Sequence, residues 1–155
     1  LGSGDKAMEA GFAELAARFP KQIAVKLGFD EALAHRIEAG SDCFVMPSRF
    51  EPCGLNQMYS LKYGTVPVVR RTGGLADSVP HFDPATSRGT GIVFNDFNPE
   101  AMHWALHTAL DLYAKPKLWR RLVRNAMAQD FSWDHAARDY IALYRDLLPA
   151  ELPQR

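Results

Sequence analysis

Two glycine-bearing loops hold the residues whose types and spacing suit binding chemistry. The first, residues 49–54, carries the carboxylate of Glu51, and the second, residues 70–74, carries Gly73 and Gly74. Each loop precedes a predicted helix, and free backbone N–H groups at a helix N-terminus attract anions, phosphate above all. An ionised carboxylate only accepts hydrogen bonds, so it suits sugar hydroxyls better than phosphate. The pattern predicts a phosphate and a hydroxyl-rich group bound side by side.

Each of these residues also fits an ordinary structural role. The glycines fit simple turns, and Glu51 without its neighbours fits a solvated loop acid. Arginines that follow a strand are usually surface charges, the histidines are typical of structural positions, and the tryptophans fit core or helix-packing positions. The sequence has no GxxxxGK[ST] phosphate loop. These structural interpretations apply to Phe29, Glu51, Cys53, Gly54, Gly64, Arg70, Arg71, Gly73, Gly74, His35, His81, His103, His107, His135, Trp104, Trp119 and Trp133.

Short apolar segments that alternate with helices must position the two loops. Most of the segments are apolar throughout, which is typical of a parallel sheet covered on both faces. In such a sheet ligands bind beyond the carboxyl ends of the strands, where both loops lie. The sequence therefore predicts an α/β fold with a doubly wound parallel sheet. The predicted strands are 23–27, 43–46, 66–69 and 91–94, with residues 1–5 as the end of another.

A helical tail is predicted from about residue 99 to residue 148. Asn98 fits its cap and Pro99 its first position. Breaks are expected near residues 115–116 and 131–132. Because this tail departs from the alternation of strands and helices, it is predicted to be a packing appendage. The whole chain, residues 1–155, is predicted to form one domain.

Composition excludes several classes of protein. Eighteen basic and eighteen acidic residues give a formal net charge of zero, which disfavours a general nucleic-acid binder. The apolar runs are far shorter than the roughly 20 residues that span a bilayer. No signal-peptide pattern opens the chain. Two cysteines outside any CxxC motif indicate neither a disulfide framework nor a zinc site, so a reducing, cytoplasmic location is expected.

A resemblance to a known family is carried by residues 47–57, with the sequence Pro-Ser-Arg-Phe-Glu-Pro-Cys-Gly-Leu-Asn-Gln. This segment resembles the donor-site signature of bacterial glycogen synthases and plant starch synthases, which are retaining glucosyltransferases that use ADP-glucose. The resemblance continues through residues 61–67 and 70–77. Upstream it includes residues 28–31 and 35–42, and residues 1 to about 145 are in register with the family's C-terminal domain.

The resemblance implies a fold and a set of site residues. The family has two Rossmann-like domains facing a cleft, the GT-B arrangement, and this chain resembles the second without its first strand. Glu51, the candidate catalytic residue, would hold hydroxyls of the donor glucose, and Phe29 would stack on adenine. Tyr59 stands where many related transferases have a second Glu. No cofactor or metal is implied, since ADP-glucose is a substrate. The other candidate substrate-binding residues are Cys53, Gly54, Leu55, Asn56, Gln57, Thr72, Gly73 and Gly74.

By the same resemblance, the expected reaction transfers glucose from ADP-glucose to the non-reducing end of an α-1,4-glucan with retention. The glucan would bind through an N-terminal domain outside this sequence, and neither nucleic acid nor membrane is an expected partner. The cations that clamp the diphosphate are also expected outside it. The chain alone is therefore predicted to be inactive and to bind nucleotide weakly. Lacking a central strand, it is predicted to pair with another chain or to be marginally stable.

Two other functions remain open at this point. The chain could belong to a related retaining transferase that uses a UDP-sugar, although Tyr59 and the Glu-Pro-Cys-Gly run disfavour it. It could also be a non-catalytic nucleotide- or glucan-binding module. Carbohydrate-binding modules usually present aromatic residues on strands, whereas the three tryptophans here lie in helical segments, which weakens that alternative.

Overall fold

A computed structural model of the chain describes residues 1–148. The chain divides into two compact units, residues 1–41 and the segment from Asp42 onward. One domain over residues 1–155 stays a prediction, and residues 149–155 lie outside the described part.

The first unit contains two helices with acidic caps. Helix α1 is Lys6–Arg18, and the carboxylate of Asp5 accepts hydrogen bonds from the first-turn amides. Helix α2 is Glu31–Ala39, capped in the same way by Asp30. These caps satisfy N–H groups that have no partner inside the helix, which explains why the helices begin at Lys6 and at Glu31.

The predicted strand at residues 23–27 is wrong. The segment forms only an isolated parallel bridge between Gly2 and Leu27. The Gly2 amide donates to the Lys26 carbonyl at 3.2 Å, and the Gly28 amide donates to the Gly2 carbonyl at 2.9 Å. A strand requires a neighbour of comparable length, and residues 1–5 supply only one rung of a ladder. The expected buried strand end at residues 1–5 is exposed.

The second unit holds a three-stranded parallel sheet in the order β1-β2-β3. Strand β1 is Cys43–Met46, β2 is Val66–Arg70 and β3 is Ile92–Phe94. The register places Cys43 opposite Val66 and Val68 opposite Ile92. Val66 to Val69 and all of β3 are buried. Burial on both faces is thus confirmed for β2 and β3, whereas β1, at one end of the described strand order, is buried only at Met46.

Five helices accompany the sheet in the described part of the second unit. Alternate residues of β2 and β3 belong to two different core clusters, one on each face. Helix α5 and the first half of α6 pack into the first cluster, whereas α3, α4 and Ala126 near the end of α6 pack into the second. The doubly wound prediction is thus confirmed. The helices are α3 (Asn56–Tyr63), α4 (Gly73–Ser78), α5 (Pro99–Tyr113), α6 (Pro116–Met127) and α7 (Trp133–Leu147).

The helical tail is more than a packing appendage. Ala105, Ala109 and Leu112 of α5 lie in the core with Trp119 and Leu122 of α6. Their burial beside the sheet completes one face of the core, so the appendage prediction is wrong for these two helices. Helix α7, in contrast, has no buried residue.

The three tryptophans differ in burial, as do the helices that carry them. Trp119 is buried against the edge of Tyr113. Trp104 is half exposed and stacks on His81, while Trp133 is 79% exposed. A core or packing position is therefore confirmed for Trp119 only. No helix between residues 1 and 148 is long and apolar enough to cross a membrane.

Candidate functional site

The carboxyl ends of β1 and β2 bring the two predicted loops into direct contact. The amide of Gly74 donates to the Glu51 carbonyl at 3.1 Å and to the Pro52 carbonyl at 3.3 Å. Neighbouring parallel strands end at the same edge of a sheet, so loops far apart in sequence meet there. These hydrogen bonds fix the backbone of the first loop at Glu51, the residue that carries the carboxylate.

The two glycines of the second loop allow this contact. A Cβ atom on Gly73 would lie 2.0 Å from the Glu51 carbonyl oxygen, and one on Gly74 would lie 1.9 Å from the Cys53 carbonyl oxygen. Gly73 also has a φ of +43°, which side chains other than glycine rarely adopt. A simple turn does not account for this geometry, because the backbone of the other loop occupies the space of both side chains.

Arg70 connects the loops that follow β1 and β3. Its Nε donates to the Ser48 carbonyl at 2.8 Å, and its Nη2 donates to the Arg49 carbonyl. Its Nη1 donates to the Asn95 carbonyl at 3.4 Å, which lies just after β3. The interpretation of Arg70 as a surface charge is wrong, since the half-buried guanidinium ties together the ends of three strands. Its position as the last residue of a buried strand is the sequence signal for this role.

Arg71 strengthens the same edge of the sheet. Its amide donates to the Phe94 carbonyl at 2.7 Å, and its Nε donates to the Asn95 side-chain oxygen at 2.9 Å. The guanidinium of Arg70 lies 5.5 Å from the centre of the Phe97 ring, within the range of a cation–π contact. The loop after β3 is therefore attached to the loop after β2.

The side chain of Glu51 is left available for a ligand. It is half-buried, and within residues 1–148 its carboxylate takes part in no hydrogen bond or ion pair. The backbone of the residue is fixed, as described above. A fixed carboxylate without a protein partner can accept hydrogen bonds from hydroxyl groups of a bound molecule.

Helix α3 begins directly after this loop and lacks a side-chain cap. Leu55 occupies the cap position with no side-chain hydrogen bond to the first turn. The first-turn amides of such a helix point toward the loop end with partial positive charge. The start of α3, which follows Glu51 closely in sequence, can therefore bind an anion.

Gln57 braces the loop instead of facing outward. Its side chain is fully buried, and its Nε2 donates to the carbonyls of Cys53 at 3.0 Å and Gly54 at 2.9 Å. A third hydrogen bond, 3.1 Å long, reaches the hydroxyl of Ser78 at the end of α4. Gln57 therefore ties α4 to the loop, a contribution to the site that the sequence does not reveal.

The other predicted binding residues are placed as follows. Leu55, Asn56 and Tyr59 lie on α3 or at its start with exposed side chains, and Thr72 is half-buried at the start of α4. Phe29 belongs to the first unit, where its ring is 89% exposed. Substrate contacts of these residues stay a prediction.

The two cysteines differ in their surroundings. Both are free thiols. Burial, with a smaller contribution from the charge of Asp42, raises the pKa of Cys43 to about 11. Cys53 is exposed in the first loop. Since the thiolate is the reactive form, Cys43 is unreactive at neutral pH.

The predicted structural role of His81 is confirmed. Its Nδ1 accepts a hydrogen bond from the Val93 amide at 3.0 Å, which requires an unprotonated Nδ1. Desolvation of the ring lowers the pKa of His81, the charge of Arg71 lowers it further, and Asp83 opposes both. His81 thus holds the edge of β3 in its neutral form. Across the described residues, no group of three or more His, Cys, Asp or Glu side chains could hold a metal ion.

A parallel sheet covered on both faces, with glycine-bearing loops at the carboxyl ends of its strands, defines a Rossmann-like ligand-binding fold. Residues 4–129 match the family Glycosyl transferases group 1, and the chain belongs to this family.

Curated relatives agree with the resemblance seen in residues 47–57. The chain is 60% identical over 151 residues to the glycogen synthase of Dechloromonas aromatica, covering 96% of this chain and 31% of that protein. It is 50% identical over 153 residues to the glycogen synthase of Koribacter versatilis, covering 99% of this chain and 32% of that protein. The chain thus spans about a third of the length of the curated relatives it matches.

Solved structures agree as well. The catalytic domain of starch synthase IV from Arabidopsis thaliana, bound to ADP and acarbose, matches with a TM-score of 0.79 and 38% identity, over 94% of this chain and 31% of that chain. The sucrose-phosphate synthase from Thermosynechococcus elongatus matches with a TM-score of 0.65, over 94% of this chain and 37% of that chain. Its identity of 22% shows a common fold alone. The predicted fold and the resemblance to glycogen and starch synthases are confirmed.

Proposed function

We propose that this chain is the donor-binding domain of a glycogen or starch synthase, which transfers glucose from ADP-glucose to the non-reducing end of an α-1,4-glucan with retention. The observation that carries the proposal is Glu51 in the loop before α3, whose backbone is fixed and whose carboxylate has no partner among the residues that the structure describes. The carboxylate suits the hydroxyls of a glucosyl group, and the start of α3 suits a diphosphate.

The chemistry of glucosyl transfer explains why both features are needed. Breaking the glycosidic bond develops positive charge on the sugar ring and negative charge on the departing diphosphate. Fixed N–H groups aimed at the diphosphate stabilise that negative charge in the transition state. Glu51 orients the glucose through its hydroxyls, so that the reacting carbon meets the acceptor in one geometry.

The nucleotide assignment rests on Phe29 and on the relatives. An exposed aromatic ring offers a surface on which a base can stack. The similar starch synthase IV structure was solved with ADP. The curated relatives described above are glycogen synthases, which favours an adenine donor over the UDP-sugar alternative. The proposal includes a cytoplasmic location, in keeping with two cysteines that form no disulfide.

The chain by itself is proposed to be inactive. The first turn of α3 carries no Lys or Arg, so that turn offers a diphosphate backbone amides and no cationic side chain. The whole transferase is about three times as long as this chain, judged by its relatives. The rest of that transferase is proposed to bind the acceptor and to supply the cationic side chains that contact the diphosphate. Glucose transfer by the purified chain would contradict this part of the proposal.

Calorimetric titration of the chain with ADP, UDP and ADP-glucose at low salt tests the donor assignment. We expect weak binding that prefers ADP. The variant Phe29→Ala should weaken ADP binding by about tenfold, because stacking on an aromatic side chain contributes about 1–3 kcal/mol per base. Phe12→Ala is the matched control, since Phe12 is also an exposed phenylalanine of the first unit.

Two results would contradict the donor assignment. A preference for UDP would favour a transferase of the UDP-sugar type. Equal affinity of the Phe29→Ala variant and the unsubstituted chain for ADP would remove Phe29 from the site.

A further inference from the structure

Two exposed histidines on α5 lie outside the donor loops and have no part in the proposed function. His103 and His107 are one helical turn apart, and their Nε2 atoms are separated by 3.0 Å. The centres of the two rings are 4.2 Å apart. Both side chains are exposed to solvent. Residues at i and i+4 share one face of a helix, so the pair is held together by the helix itself.

The distance between the two nitrogens fits a chelating pair. Metal–nitrogen bonds to histidine are about 2.0–2.1 Å long, so nitrogens 3.0 Å apart subtend an angle of about 91–97° at a shared ion. A tetrahedral ion would require about 3.3–3.4 Å between the nitrogens at the same bond length. An angle near 90° belongs to adjacent positions of a square-planar or tetragonal ion, the geometry of Cu²⁺ and Ni²⁺.

We propose that His103 and His107 form a surface site for a divalent transition-metal ion of tetragonal preference, Cu²⁺ or Ni²⁺, bound through both Nε2 atoms. Water completes the coordination, since no third side chain in the described residues joins the pair. Imidazole is a suitable ligand for both ions, and affinity for such ligands rises from Co²⁺ through Ni²⁺ to Cu²⁺.

Metal binding by two neutral imidazole rings releases no proton to solvent. When both rings are neutral, one Nε2 of the metal-free pair carries the hydrogen and the other accepts it, so the two rings are opposite tautomers. Metal binding needs the lone pairs of both Nε2 atoms. The donor ring therefore moves its hydrogen from Nε2 to Nδ1, and both rings bind as neutral Nδ1–H tautomers.

The metal would act as a clamp across one turn of α5. The opposite side of that helix supplies Ala105, Ala109 and Leu112 to the core cluster against the sheet. An ion that binds the folded helix and not the unfolded chain shifts the folding equilibrium toward the folded state. Metal addition should therefore raise the melting temperature of the protein.

Titration with Cu²⁺ and with Ni²⁺, followed by equilibrium dialysis and thermal melting, tests the site. We expect one tight Cu²⁺ per chain, an electron paramagnetic resonance spectrum of a tetragonal ion with two nitrogen ligands, and a higher melting temperature. His107→Ala should weaken binding by at least about tenfold, because loss even of an outer-shell partner costs 10–100-fold.

Two control variants separate a built site from scattered surface histidines. The double variant His107→Ala with Asp111→His keeps the number of histidines but places them two turns apart on the exposed face. His135→Ala removes an exposed histidine of α7 that faces Asp139 and no second histidine. We expect the double variant to lose the site and His135→Ala to keep it. Equal Cu²⁺ affinity in the unsubstituted protein and the double variant, with helix content unchanged by circular dichroism, would overturn the proposal.

Discussion

Glu51 combines a fixed backbone with a carboxylate that no hydrogen bond or ion pair within residues 1–148 holds. Placed in a full-length enzyme, Glu51→Ala should lower turnover by about a hundredfold, the scale of losing one fixed group that stabilises a transition state. The free energy of unfolding should change by less than about 0.5 kcal/mol, because the carboxylate lies outside the core.

Steady-state kinetics and denaturant unfolding of the same Glu51→Ala sample measure both quantities. Glu14→Ala, an exposed acid on α1, is the matched control and should leave both unchanged. A loss of stability as large as the loss of turnover would contradict a donor role for Glu51.

Gly74 shows how a residue without a side chain determines the shape of the site. Its φ is ordinary, so only the closeness of the Cys53 carbonyl forbids a side chain. We expect Gly74→Ala to destabilise the protein by about 1–3 kcal/mol, the usual cost of overpacking. Thermal or denaturant unfolding measures this change.

Gly11→Ala is the matched control for the Gly74 prediction. Gly11 lies inside α1, and nothing occupies the space within 4 Å of a Cβ built there. Alanine at an open helical position stabilises by about 0.5–1 kcal/mol relative to glycine. If the two variants changed stability in the same direction, the close contact between the loops would be refuted.

At the scale of elements, strand β3 depends on one neutral histidine. The Nδ1 of His81 accepts the Val93 amide, and the pKa of His81 is lowered by desolvation and by Arg71. An unfolded chain, with a histidine pKa of about 6.5, then takes up the proton before the folded one does. Stability contributed by this contact is therefore present above about pH 6.5 and is lost as the pH falls through the lowered pKa.

Unfolding midpoints measured between pH 7.5 and pH 5 test this dependence. His81→Asn is the matched variant, because an amide oxygen replaces Nδ1 as acceptor and does not titrate in this range. The unsubstituted protein should lose more stability on acidification than His81→Asn does. Parallel pH profiles would show that His81 does not control β3.

The ends of the three strands are also joined by side chains from β2 and from the segment that follows it. Arg70 contacts carbonyls after β1 and after β3, and Arg71 contacts Asn95. Because all three strands are short, these contacts supply order that the ladder hydrogen bonds alone would not. The loops that carry Glu51 and the glycines are positioned by elements far apart in sequence.

At the scale of the whole molecule, β1 lies at the edge of the described sheet. Its Val45 is 39% exposed. An apolar edge with unpaired backbone groups is a template for another strand. We expect the purified chain to self-associate as its concentration rises, and multi-angle light scattering from about 5 to 500 μM measures this.

The variant Val45→Lys should reduce self-association, since a charge on an edge strand opposes pairing. Leu110→Lys, on the exposed surface of α5, is the matched apolar-to-lysine control and should have a smaller effect. A single monomeric species at the highest concentration would contradict pairing at this edge.

The sequence alone determined the features that are local. Apolar runs at residues 43–46 and 66–69 predict parallel strands, of which the second is buried, and Asn98 with Pro99 locates the start of α5, because periodicity and capping depend on residues a few positions apart. The motif at residues 47–57 was enough to identify the family.

Tertiary structure decided the features that need a distant partner. The contact of Gly74 with Glu51, the bonds of Arg70 and the buried brace of Gln57 join segments about twenty residues apart. The segment 23–27 has the composition of a strand, yet it forms one bridge only, because a strand is stable only beside a neighbour of comparable length. Composition sets what a segment can form, and the partners supplied by the fold decide what it does form.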